Sequence, residues 1–340
     1  MNSMAMQKDI ISNWEPRHAS LFGVELIKLN HRLIETGLFT REALGELIER
    51  CPARELGLES MGYETDKPDR IYGELGGASG ADAIAAIEKG RMWMNIRRVM
   101  DWAPEYRKLL DDVFNEFEAR MPGLKTNKRN IGVLISSPNA KVFYHADIQG
   151  QSLWQIEGVK RVYVYPRSEI FITPEIVEKI LLRETDEDMP YENWFDEYAN
   201  PVDLHPGEMV TWPLYAPHRV QNHDCLNISV TMEHWTKQIW NSYAVNYGNG
   251  VLRRTIGLQN PSTRDHGLHV YPKAGAAFLW KKLGKQITGD VDKRRDFRID
   301  VTSDSGRVGI GLEQRSRPCS PVLSTWSPLP DIGTNRRRSR

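Results

Sequence analysis

Tyr144-His145-Ala146-Asp147, taken with Pro217-His218 further along, decides how this chain is read. Side chains alternate across a β-strand, so residues two apart share a face, and His145 and Asp147 would point the same way. His218 stands at a strand end and can meet them if the strands curl into a β-sandwich or small barrel. Two imidazoles and one carboxylate on one side of a metal leave the opposite positions open. That arrangement suits non-haem Fe(II) chemistry. The bland alternative for the first pair is a buried histidine hydrogen-bonded to an aspartate. Five more histidines compete as ligands: His205, His223, His234, His266 and His269.

Around this stretch the apolar pattern has a period of two. Residues 131–136, 142–147, 151–157 and 160–165 read as strands, broken at Pro138-Asn139, Gly150 and Gly158. Strands resume at 208–212 and 226–235. The last alternates cleanly, with Leu226, Ile228, Val230 and Met232 apolar and Asn227, Ser229, Thr231 and Glu233 polar. In an open sheet the polar face would be solvated; in a closed core it lines a pocket. A run of short strands after a helical lead predicts a mainly β fold with α additions.

Upstream, residues 1–18 read as a loose lead-in. Residues 19–50 read as helical, with an apolar stripe of Leu21, Val24, Leu26, Ile27, Leu29 and Leu33, and with Thr40 as an N-cap. The segment 73–80 is glycine-rich. No strand is evident before it and no Lys-Ser/Thr follows, so it reads as an ordinary loop rather than a phosphate cradle. A short helix is expected over 81–89. The clearest helix is 104–121, where Tyr106, Leu109, Leu110, Val113, Phe114 and Phe117 fall at helical spacing. Residues 167–200 are acidic and irregular, with a helix near 174–183. Residues 236–300 read as mixed, helical around 275–284. The tail beyond Gly311, rich in Pro, Ser and Arg, reads as disordered. These features divide the chain into a helical region (1–125), a β core (126–236), a mixed extension (237–310) and a tail (311–340).

The 340 residues are 40% hydrophobic, enough for a substantial core. Lys+Arg and Asp+Glu number 45 each, which argues against a protein devoted to nucleic acid or a membrane surface. No apolar run approaches the ~20 residues of a membrane helix. The N-terminus lacks the apolar stretch of a signal peptide. Cys51, Cys225 and Cys319 are too few and scattered for a disulfide framework or a zinc site. A cytoplasmic location is the resulting expectation.

Two blocks carry a family resemblance. The run His145-Ala-Asp-Ile-Gln-Gly-Gln-Ser-Leu-Trp-Gln-Ile-Glu-Gly-Val-Lys-Arg-Val-Tyr-Val-Tyr-Pro166 and the run Leu204-His-Pro-Gly-Glu-Met-Val-Thr-Trp-Pro-Leu-Tyr-Ala-Pro-His218 resemble the JmjC/cupin-like Fe(II)/2-oxoglutarate oxygenases, in particular a bacterial cupin-like subgroup. The pattern covers about 131–235. It implies a double-stranded β-helix (jelly-roll, cupin, JmjC-like) core with N-terminal and C-terminal helices. It selects His218 as the distal metal ligand beside His145 and Asp147. It implies that Lys160 pairs with the distal carboxylate of 2-oxoglutarate, and it makes Tyr144, Gln151, Thr231 and Glu233 candidates near that co-substrate. Where several hydroxylases carry a Thr three residues before the first ligand, this chain has Val142. Where an Asn often follows on the last strand, it has Glu233.

The activity so implied is a dioxygenase using Fe(II), 2-oxoglutarate and O2 to hydroxylate a C–H bond. The substrate would be a peptide, a protein or an amino-acid side chain, with small molecules also open and nucleic acid disfavoured. Relatives often pair through helices outside the core, which implies a homodimer. Two rival readings share the pocket: a non-catalytic cupin-like regulator that binds a metal or ligand, and a cupin holding Zn or Mn at the same triad.

Overall fold

The computed structural model describes residues 9–60, 71–185, 189–284 and 295–310. The expected disordered tail, 311–340, lies outside them. In chain order the first elements are α1 (His18–Leu21), β1 (Ile27–Asn30), α2 (Arg41–Arg50), β2 (Leu56–Ser60), β3 (Ile71–Glu74), α3 (Gly80–Lys89), β4 (Met92–Ile96) and α4 (Pro104–Arg120). The central block is β5 (Asn127–Ser136), β6 (Lys141–His145), β7 (Gly150–Glu157), β8 (Lys160–Val164), α5 (Pro174–Leu181), β9 (Asn200–Leu204), β10 (Glu208–Thr211), β11 (His218–Asn222) and β12 (Asn227–Trp235). Then come α6 (Lys237–Ile256), α7 (Val270–Lys282), β13 (Arg295–Ile299) and β14 (Arg307–Gly309).

The central strands distribute themselves between two sheets. The large sheet runs β1-β10-β7-β12-β5-β4-β2-β3-β13-β14 and the small one β6-β11-β8-β9. From β5 to β8 the chain crosses from one sheet to the other at every strand, and it does so again from β9 to β12. That winding is the double-stranded β-helix. Both sheets keep open edges, so the core is a sandwich of two sheets and not a closed barrel. The large sheet continues through β4, β2 and β3 of the N-terminal region to β13 and β14 near the C-terminus. The two flanking regions therefore share one sheet with the core.

Apolar surface is buried in three places. Between the sheets, Leu153, Val162, Val164, Leu204, Val210, Trp212, Ala216 and Val220 form a thin core. The outer face of the large sheet (Ile131, Val133, Ile135, Ile228, Val230, Met232) packs against α2, α3 and α4 through Leu44, Ile84, Leu110 and Phe114. The outer face of the small sheet meets α5, α6 and α7 through Tyr144, Tyr165, Val177, Ile180, Tyr243 and Tyr247. The alternation of β12 thus sorts as expected. Its apolar residues face the helices and its polar ones face the space between the sheets.

Helix boundaries follow local chemistry. The Thr40 hydroxyl accepts from the Ala43 amide at the start of α2, as the sequence predicts. Pro104 opens α4, whose buried face is the predicted stripe. Two expectations fail. Residues 19–40 are not one helix: Ile27 and Leu29 are buried alternately with exposed Lys28 and Asn30, and the segment pairs with β10. Its cluster of apolar residues conceals a period of two, and an available sheet edge outweighs helical propensity. A strand, β3, does precede the glycine-rich loop. Still, the N-terminus of α3 is no phosphate cradle, because the Gly80 amide donates to Glu49 Oε1 at 3.0 Å and Asp82 sits in the first turn.

The turn between β7 and β8 needs glycine. Gly158 has φ +74°, and a Cβ there would stand 2.1 Å from the Leu226 carbonyl oxygen. Gly158→Ala should therefore lose about 2 kcal/mol or more of unfolding free energy in urea titration. A loss under about 0.5 kcal/mol would show that this turn tolerates a side chain.

Candidate metal centre

The antiparallel pairing of β6 and β11 sets His145 directly opposite His218. The register then slips, so that Val220 faces Val142. This bulge gives three steps on β6 to two on β11, and so puts Val142 and His145 on the same inward face. The position three residues before the first histidine thus does reach the space between the sheets, as an apolar wall. Asp147 follows just past the end of β6. The imidazole and carboxylate atoms that His145, Asp147 and His218 can offer all lie within 4.8 Å of one another. The two rings stand 4.0 Å apart between centroids.

Each histidine is oriented from behind. Nδ1 of His145 lies 2.7 Å from the Phe143 carbonyl oxygen, and Nδ1 of His218 lies 3.0 Å from that of Ala216. A carbonyl can only accept, so Nδ1 carries the proton and Nε2 keeps its lone pair. His218 Nε2 is 3.4 Å from Asp147 Oδ2. The Trp212 indole donates to that same carboxylate oxygen at 3.3 Å, and its ring stands 4.4 Å from His218. Burial holds the His218 pKa well below its ordinary value, and the nearby His145 adds to the effect. A neutral imidazole is the form that coordinates a cation. Burial pushes the Asp147 carboxyl up, opposed by His145 and the Trp212 N–H. A divalent ion would reverse that cost by supplying positive charge. Two Nε2 lone pairs and one carboxylate, each steadied by a hydrogen bond from behind, make a donor set that fits a transition metal.

Lys160 is buried on the inward face of β8, in line with Val162 and Val164. Among the described residues its amine has neither a hydrogen-bond nor an ion-pair partner. Burial pulls its pKa down to about 7. An ammonium enclosed without a counter-charge is a strong attractor for an anion.

Glu233 and Gln151 face each other across β12 and β7, on the same inward side. Glu233 keeps some accessible surface, yet burial is the main cause that pushes its carboxyl up to about 7, while the Asn130 amide donates to it at 3.0 Å. Gln151 Oε1 is buried with no hydrogen-bond partner among the described residues. Thr231 shares this face, with its hydroxyl over Gly132, where a Cβ would come within 3.0 Å. Tyr144 is elsewhere. It faces the outer helical layer and donates to the Phe171 carbonyl at 2.9 Å. Alternation explains this, since Tyr144 adjoins the inward-facing His145.

The competing histidines do not join the triad. His234 is buried against Phe22 and Phe114 at 5.8 and 5.4 Å. His223 is exposed and contacts Asp203 at 3.1 Å. His205 and His266 are exposed, and His269 is half-buried with Nε2 2.9 Å from the Arg264 carbonyl oxygen. Sequence reasoning assigned no role to Trp212 or Asn130. A period-two reading of 208–212 would have turned Trp212 inward together with Val210.

No protein-family model matches the chain, and no curated protein sequence does. Solved structures do. A structure of Escherichia coli ycfD has 14% identity, with 82% of this chain and 70% of that chain covered and a TM-score of 0.47. A structure of the same protein, described as a ribosomal oxygenase in complex with cobalt and 2-oxoglutarate, has 14% identity, 82% and 71% coverage and a TM-score of 0.43. The lyase DddQ of Ruegeria pomeroyi has 11% identity over 32% of this chain and 38% of its own, with a TM-score of 0.21.

The lone buried amine makes a prediction. The folded pKa of Lys160, about 7, lies below its ordinary 10.5. The penalty for burying its charge is therefore full below pH 7 and vanishes as pH rises toward 10.5. Lys160→Met should stabilise the ligand-free protein, on the order of 2 kcal/mol at pH 6.5, with the gain fading by pH 10.5. Paired thermal melts across that range are the measurement. A variant less stable at pH 6.5, or a pH-independent difference, would remove the unpaired-charge account.

Proposed function

We propose that this protein is an Fe(II)- and 2-oxoglutarate-dependent dioxygenase. The observation that carries the proposal is one inward sheet face holding both the His145–Asp147–His218 cluster and the uncompensated ammonium of Lys160. In this reading His145 and His218 supply Nε2 and Asp147 a carboxylate oxygen to ferrous iron. Lys160 receives the distal carboxylate of 2-oxoglutarate, which converts a buried lone charge into a buried pair. Ferrous iron with 2-oxoglutarate and O2 supplies the oxidising power to hydroxylate a C–H bond, releasing succinate and CO2.

The chain's own residues do the rest. The Phe143 and Ala216 carbonyls fix the tautomers, so both lone pairs face the metal before it arrives. Trp212 orients the carboxylate and, with Val142, Val162 and Val220, keeps water from the metal's surroundings. Gln151, Thr231 and Glu233 form the polar wall opposite. Glu233, its carboxyl pushed up to about 7, can donate as well as accept a hydrogen bond to co-substrate or substrate, as can the Thr231 hydroxyl and the Gln151 amide. The substrate is inferred to be a peptide, a protein or an amino-acid side chain. A cytoplasmic setting and a homodimer belong to the same reading. Among the described residues no helix is long and apolar enough to cross a membrane.

Anaerobic addition of Fe(II) and 2-oxoglutarate should produce a metal-to-ligand charge-transfer absorption band, and exposure to O2 should then yield succinate. Metal analysis after native purification separates iron from Zn or Mn. His145→Ala should abolish the band; a band that survives unchanged refutes the ligand assignment. Lys160→Ala should weaken 2-oxoglutarate binding at least tenfold, equivalent to about 1.4 kcal/mol, because a carboxylate is left unpaired in an enclosed site. Unaltered affinity would take that role away from Lys160.

A further inference from the structure

The chain is neutral as a whole, but residues 168–200 contain ten Asp and Glu against two Lys and Arg. This segment joins β8 to β9 and covers the outer face of the sheet whose inner face carries the triad. Its 3-10 turn, Asn193–Tyr198, is clamped in place. Asp196 forms an ion pair with Arg219, the neighbour of His218, and accepts from the Tyr165 hydroxyl at 2.5 Å. Phe195 is buried between them, its ring 5.5 Å from that of Tyr144, the neighbour of His145.

What this clamp holds outward is apolar and acidic. Trp194 is 44% exposed, Tyr198 59% and Ile170 67%. The Trp194 and Tyr198 rings lie 6.0 Å apart, and both lie 6.0 to 6.2 Å from the buried ring of Phe171, the neighbour of Ile170. Glu169, Glu192 and Glu197 are exposed alongside. None of these three has an ion-pair partner among the described residues. Glu175, Glu178 and Glu184 differ, being committed to Arg253 and Arg254.

We propose that Ile170, Trp194 and Tyr198, ringed by Glu169, Glu192 and Glu197, form a docking surface for a basic polypeptide segment. Lys and Arg stems lie along aromatic faces while their cations meet carboxylates, so this composition matches both halves of those side chains. The acidic rim repels nucleic acid and anionic membranes. It also disfavours a second copy, because a two-fold contact sets the same carboxylates against each other. The rigid clamp removes the ordering cost of the surface before binding. The surface lies behind the triad's sheet, so it tethers a substrate and does no chemistry. Its benefit is a raised local concentration of the tethered chain near the metal. The proposal rests on the reading of the substrate as a peptide or protein.

The test uses the full chain and two fluorescein-labelled octapeptides, one alternating Arg and Leu and one alternating Glu and Leu, followed by fluorescence anisotropy. The basic peptide should bind at least tenfold more tightly than the acidic one. Trp194→Ala/Tyr198→Ala should weaken it at least tenfold, and so should Glu192→Lys/Glu197→Lys, whose exposed positions leave folding intact. Equal binding of both peptides, or wild-type affinity in both variants, overturns the proposal. So does a dimer in sedimentation velocity that Trp194→Ala/Tyr198→Ala splits, since the surface would then be a self-association face. Selective peptide binding without succinate formation keeps the docking surface and removes the oxygenase reading; succinate formation without selective binding does the reverse.

Discussion

One cross-strand pair governs this protein: His145 opposite His218 on adjacent antiparallel strands of the small sheet. Backbone hydrogen bonding between β6 and β11 fixes how far apart the two rings can be. The carbonyls of Phe143 and Ala216, each two residues before its histidine, fix which nitrogen faces inward. Neither feature needs a metal. The donor set is prepared by the ladder and the tautomers, and Asp147 is brought in by the chain leaving β6. Binding can then proceed without rearranging the core, because the ordering has been done by folding.

The same enclosed space carries a cost that folding alone does not repay. Lys160 sits among Val162, Val164 and Leu204 with its charge unbalanced, and Glu233 is buried to the point of titrating near neutrality. Both depart from the apolar or fully paired interior that would maximise stability. In the proposed reading these are the groups that co-substrate and substrate satisfy. The rest of the fold offsets the strain. A large helix-covered apolar layer lies on one side and an aromatic layer lies on the other, so the thin polar space between the sheets is braced from both faces.

The outer aromatic layer ties the site to the surface. Arg219 and Tyr144, each next to a triad histidine, point away from the metal space and anchor the acidic insertion between β8 and β9. Alternation along a strand makes this unavoidable: a residue adjacent to an inward ligand must face out, and its partners are the elements packed on the back of the sheet. The insertion can vary its exposed face freely as long as Asp196 and Phe195 keep that grip.

The His145–Asp147 pair and the polar face of β12 were legible in the residues, because spacing along a strand directly encodes which side chains share a face; His218 and Lys160 came from the family resemblance. Nothing in that spacing showed that β6 bulges. Hence the inward face of Val142 could not be read from it, whereas Tyr144, grouped with the site by the resemblance, faces outward by simple alternation from His145 and bonds to Phe171 on the far side. Nor could local pattern find β1 within an apolar stripe that resembles a helix, or place β13 beside β3, since both depend on which sheet edge is free to receive them. Trp212 and Asn130 gained their roles in the same way. Sequence determines the face each side chain takes within its own element. Only the packed structure decides which faces meet, because register, bulges and edge pairing are set by contacts between segments distant along the chain.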